Sequence, residues 1–136
     1  MIFEICNDLI CINHNPYCDV EDMWRKIALS SRSYPQFRYC TEVHDRKEVW
    51  KSLANSAHTS APLWQYWYCN DVKDRPEMWK ALANDTHPRS IEWQYNYCIR
   101  VKNRPEMVEA IKNSKHSNRN EWWRKYCKWV KKQEES

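Results

Sequence analysis

Residues 68–98 read YCNDVKDRPEMWKALANDTHPRSIEWQYNYC, and the Tyr-Cys pair that opens this stretch also closes it, 29 residues later. The same step runs through the chain. Cys11, Cys40, Cys69, Cys98 and Cys127 are spaced by it, and Tyr39, Tyr68, Tyr97 and Tyr126 each precede a Cys. Val43, Val72, Val101 and Val130 keep it, as do Arg46, Arg75 and Arg104, Asn55, Asn84 and Asn113, His58, His87 and His116, and Trp64, Trp93 and Trp122. So many columns at one period identify a repeat unit that recurs about four and a half times.

Within the quoted stretch the unit reads as two helices. Asp74-x-x-Glu77 has the form of a capping box, matched by Asp45-x-x-Glu48 and Asn103-x-x-Glu106. Pro76 and Pro105 fall in the first turn, where the missing N–H leaves no bond unmade. Met78, Trp79, Leu82 and Ala83, like Val49, Trp50, Leu53 and Ala54, form one apolar stripe. The recurring Asn then stands where a left-handed residue ends a helix. A second helix is predicted over about 61–73, 90–102 and 119–132, with Trp93, Tyr97, Cys98 and Val101 on one stripe.

One such pair cannot bury its stripes alone, whereas stacked pairs can. The predicted fold is therefore all-α, a short right-handed α-solenoid of two-helix repeats with about nine helices. A single domain divides into an N-terminal capping helix (1–13), an irregular first repeat (14–42), two regular repeats (43–71 and 72–100) and a C-terminal capping repeat (101–136). In the first repeat Met23-Trp24 matches Met78-Trp79 but stands three residues late relative to Cys11. In the last, Val108 replaces the first-helix Trp, and Arg124 stands where Phe37, Tyr66 and Tyr95 stood. Loss of those aromatics suits a water-facing end. The array resembles the broad class of HEAT, armadillo and tetratricopeptide repeats, and Pro76-Glu77 followed by Leu82-Ala83 resembles the variant leucine-rich repeat. The unit is shorter than most of these and lacks the tetratricopeptide Gly, so the likeness implies a stacked helical scaffold and carries over no functional residue.

Composition narrows the function. With no Gly among 136 residues, Gly-rich phosphate loops and dinucleotide-binding turns are excluded. Nine Trp and eight Tyr supply core volume for a thin fold. Residues 99–136 hold 11 Lys/Arg and 5 Asp/Glu, a net +6, while residues 1–98 carry a net −2. A basic end points to an acidic partner, protein or nucleic acid. No membrane association is expected, since no stretch is apolar enough to span a bilayer. Seven Cys without a CxxC pair point to a reducing, cytoplasmic setting.

The Cys ladder reads as small apolar packing in the seams. Cys6, Cys11, His14 and Cys18 lie close enough in sequence to be zinc-ligand candidates, but their spacing matches no standard motif. No cofactor and no metal are therefore expected. The His ladder reads as a loop brace, with the imidazole donating to a helix C-terminal carbonyl. The Arg ladder opposes a helix dipole, so stacking on a neighbouring ring or an ion pair across units is expected; a phosphate-binding ridge with the Lys column is the alternative.

No catalytic residues are assigned, and the chain is not expected to be an enzyme. Binding is expected on second-helix columns that vary between units: Trp67, Asn96 and Lys125; Asn70, Ile99 and Lys128; Lys73, Lys102 and Lys131; with Tyr66 and Tyr95 beside them. The expected function is a protein-binding module, an adaptor or an inhibitor that blocks a macromolecular surface. Nucleic-acid binding through the Lys/Arg ridge and basic C-terminal repeat is the second reading.

Overall fold

The structure is a computed structural model, and it describes residues 20–135, with side chains from 23 onward. Eight helices and no strand lie among the described residues: α1 (Val20–Leu29), α2 (Ser33–Glu42), α3 (Lys47–Ala54), α4 (Ala61–Asp71), α5 (Pro76–Asn84), α6 (Ser90–Arg100), α7 (Pro105–Lys112) and α8 (Arg119–Glu135). The chain is all-α, as its periodicity predicts. The expected helix within residues 1–13 lies outside the described residues.

Helices of eight to eleven residues are marginal by themselves. Packing supplies what propensity does not. The odd-numbered helices touch one another in succession, α1 to α3 to α5 to α7, and the even-numbered helices do the same, α2 to α4 to α6 to α8. Each helix also packs on its chain neighbours, and among the described residues none packs on an element more than two places away. The result is two layers of helices with strictly neighbour-to-neighbour contacts.

The first layer buries the predicted stripe. Met23, Trp24 and Ile27 in α1, Val49, Trp50 and Leu53 in α3, and Met78, Trp79 and Leu82 in α5 all lie in the core. Burying each such side chain is worth about 1.5–3 kcal/mol. In the second layer the stripe is turned from the predicted one. Trp93 and Val101 are only half-buried, whereas Ile91, Gln94, Tyr97 and Cys98 are buried.

Gln94 belongs to a column, Gln36, Gln65 and Gln94, that sequence reasoning passed over because it is polar. Each amide donates to carbonyls at the end of the partner helix in its own unit: Gln36 to Ile27 and Ser30, Gln65 to Leu53 and Ala54, Gln94 to Leu82 and Asp85. These bonds satisfy the orphan carbonyls that terminate a helix. They replace the predicted left-handed Asn: Asn55 and Asn113 have φ near −95°, and Asn84 is still helical.

The predicted capping boxes are also corrected. Arg46, Arg75 and Arg104 take the N-cap position in extended conformation, with no side-chain cap bond. The preceding Asp turns away to the next seam. There, Tyr68 donates to Asp45 at 2.6 Å, Arg75 Nε donates to the Tyr68 hydroxyl at 2.6 Å, and the same guanidinium pairs with Asp45 at 2.8 Å. Its plane lies 4.5 Å from the Trp50 ring centre. Arg104, Asp74, Tyr97 and Trp79 repeat the arrangement one unit later.

In this clamp three groups of one unit hold an Arg of the next. Asp74→Ala should therefore leave a half-buried guanidinium and a phenol without their acceptor, and lower stability by about 1.5–3 kcal/mol. Arg104→Lys should fail to restore the loss caused by Arg104→Ala, because an ammonium offers neither the fork nor the stacking plane. Urea unfolding followed by circular dichroism checks both, and full recovery by Lys would contradict the clamp.

Candidate functional site

Once the clamps, the Gln caps and the core are assigned, the outer face of the second layer remains. A row of rings crosses it. Each Trp of the column Trp64, Trp93 and Trp122 packs on an aromatic of the preceding unit: Trp64 on Phe37 at 5.1 Å, Trp93 on Tyr66 at 5.5 Å, and Trp122 on Tyr95 at 5.4 Å between ring centres. Tyr34 adds a further ring at 4.7 Å from Trp64. These contacts staple the second-layer helices together, and the Trp rings stay half-exposed.

The sequence-predicted binding residues divide on this surface. Trp67 and Ile99 are half-buried beside the row, and the Trp67 ring meets Tyr66 edge-on at 5.1 Å. Asn70, Lys73, Lys102, Lys125, Lys128 and Lys131 are exposed. Asn96 is half-buried and donates to the Glu92 carbonyl. Tyr66 is a correction: only 1% exposed, it is a core residue of the α4–α6 seam and is closed to a partner. Tyr95 is half-buried under Trp122 and serves the α6–α8 seam in the same way. An aromatic column supports either role in sequence, and the ring-to-ring packing decides it here.

The tempting ladders are occupied. Arg75 and Arg104 sit in the clamps and not on a phosphate ridge. His58 and His87 do not donate to a helix end as predicted. Their Nδ1 atoms accept from the backbone N–H of Ser60 and Arg89, at the start of the following helix. His116 bonds through Nε2 to the Thr86 carbonyl of the preceding unit. Cys6, Cys11, His14 and Cys18 lie outside the described residues, and among the described residues no three His, Cys, Asp or Glu side chains gather as metal ligands. Two clefts of 390 and 450 Å³ repeat at the loop edge, between the ends of α5 and α7 and of α1 and α3. Small polar residues that serve the turns line them, including Asn84, Thr86 and Ser114 in one and Ser30, Asn55 and Ser56 in the other.

The cysteines split sharply. Burial raises the Cys40 and Cys69 thiols far above their usual range, and Asp45 and Asp74 add to it. Burial pushes Cys98 up to about 12. Cys127, in the same column, is exposed. No family model matches the chain, and neither a curated protein nor a solved structure matches it.

Since the thiolate is the nucleophile, iodoacetamide at pH 8 should label Cys127 in the folded protein and spare Cys40, Cys69 and Cys98, while in urea all four react. Peptide mass spectrometry reads the pattern, and rapid native labelling of Cys69 would contradict the packed seam.

Proposed function

We propose that the chain is a non-enzymatic protein-binding module whose contact surface is the outer face of the second-layer helices around Trp67. The observation that carries this reading is the division between recurring and varying positions. Recurring Asp, Arg, Tyr, Gln and His side chains are engaged in clamps, caps and turns. Two other second-layer columns change chemistry from unit to unit: Arg38, Trp67, Asn96 and Lys125 in one, Thr41, Asn70, Ile99 and Lys128 in the next. A rigid array of this kind presents a sequence-specific surface without altering its scaffold. Trp67 is the anchor of choice, since a large half-exposed ring is enriched at interface centres and the surrounding amides and Lys side chains suit the polar rim.

By holding a partner on this face the chain acts as an adaptor or blocks the surface it covers. The setting is cytoplasmic in this reading, supported by free thiols at Cys40, Cys69, Cys98 and Cys127.

The test is affinity capture of partners with and without nuclease. A protein partner should persist through nuclease treatment and through moderate salt. Trp67→Ala should weaken it roughly 30-fold, equivalent to about 2 kcal/mol. Ile99→Glu, which leaves the ring row untouched, should also weaken it. Capture that is abolished by nuclease, or unchanged in both variants, would overturn the reading.

A further inference from the structure

The last helix departs from α4 and α6 at four positions together and keeps a fifth cation that they share. Counting back by the repeat, Arg124, Lys125, Lys128, Lys131 and Lys132 stand where α4 and the turn after it have Tyr66, Trp67, Asn70, Lys73 and Asp74. The α6 unit has Tyr95, Asn96, Ile99, Lys102 and Asn103. Five cations thus replace one. All five are exposed. Lys125 lies 3.8 Å from Glu121, an exposed pair that screens little charge. Among the described residues Arg124, Lys128, Lys131 and Lys132 make no ion pair.

Neither scaffold need accounts for this. A terminal unit requires a polar outer face, but mixed charge serves as well and avoids self-repulsion. Lys131 and Lys132 complement the negative C-terminal end of a helix, whereas Arg124, Lys125 and Lys128 lie too far from it. The helix itself runs to Glu135, past Val130, the counterpart of the residues that cap α4 and α6 at Val72 and Val101. Its last residues, Glu134 and Glu135, return some negative charge only beyond the cations. Cations three and four residues apart on this side, such as Arg124, Lys128 and Lys131, stand about 5–6 Å from one to the next.

A second change accompanies the charge. The column Glu42, Asp71 and Arg100 is exposed and charged in three units, and in α8 it becomes Trp129, a half-buried ring. Trp129 and Trp123 flank Tyr126, with ring centres 6.1 and 5.4 Å away. Lys125 lies over Trp122 at 4.2 Å. Cations that follow a backbone, interleaved with rings that accept a base, are the combination that binds single-stranded nucleic acid. An acidic peptide would use the cations and leave Trp129 unexplained, and a duplex hides the base faces.

We infer that the exposed side of α8 is a binding site for single-stranded nucleic acid, with Arg124, Lys128, Lys131 and Lys132 on phosphates and Trp129 under a base. The inference shares the Lys125 and Lys128 positions with the protein-binding reading but does not depend on it, since that reading is anchored on Trp67 and this one on α8 alone.

The test is fluorescence anisotropy of the full chain with a labelled 20-nucleotide oligo-dT. A duplex of equal length and poly-glutamate serve as competitors. The single strand should bind with a log–log salt slope near −3, at roughly 0.7 per phosphate contact, and outcompete both alternatives. Lys128→Glu with Lys131→Glu should weaken it more than tenfold. Trp129→Ala should weaken it roughly 5- to 100-fold, as loss of one stacked base does. The charge pair lies on exposed positions, so it keeps the test valid if Trp129→Ala destabilises the helix. Absence of binding, equal competition by duplex or by poly-glutamate, or full affinity in the Lys128/Lys131 variant would overturn the inference.

Discussion

The Arg75 guanidinium is placed where its own helix disfavours it. At the N-cap of α5 a cation faces the positive end of the helix dipole. What offsets this comes entirely from the preceding unit: the Asp45 carboxylate, the Tyr68 hydroxyl and the Trp50 ring. Burial raises the Tyr68 phenol well above its ordinary range, and its bond to Asp45 adds to that, so it remains a neutral donor. A fork of N–H groups bound to a carboxylate and a phenol, over an aromatic plane, fixes both distance and rotation. One unit therefore cannot relax without its neighbour, and short helices that are marginal alone become parts of one stack.

The conditions for this interaction lapse after Arg104. A further unit would need an Asp, a Trp and a ring column to receive it. The last unit has Asn103, Val108 and Arg124 in those places, and Gln133 stands where the next Arg would be. Tyr126 keeps a single bond, donated to Asn103. Cys127 and the outer side of α8 are left to solvent, so residues that elsewhere answer to packing become free to answer to a ligand.

Scaffold and surface were unequally legible in the sequence. Helix number within the described segment, helix bounds within two or three residues and the first-layer core follow from period and stripe alone, because local hydrophobic spacing is nearly the whole signal there. The Gln caps were visible as the column Gln36, Gln65 and Gln94, but polarity disguised them as surface. Asp74 reads as a cap from its neighbours in sequence, yet its partner Arg104 is 30 residues away. Tyr66 matched the chemistry of a binding residue, and its burial depends on where Trp93 of the next helix comes to rest.

By itself, then, the sequence determined that this protein is all-helical, the period of its units, and the unit in which the recurring Asp, Trp and ring columns lapse. Those properties depend on spacing and substitution along one chain. Only the tertiary structure decided which copy of each recurring residue meets which neighbour: that the Arg ladder clamps seams instead of lining a phosphate ridge, that His116 donates to the Thr86 carbonyl of the preceding unit, and that Cys127 differs from three chemically identical cysteines. The physical reason is common to all three. A side chain's role here is set by the unit packed against it, and the same residue at the same register means something different where that unit is absent.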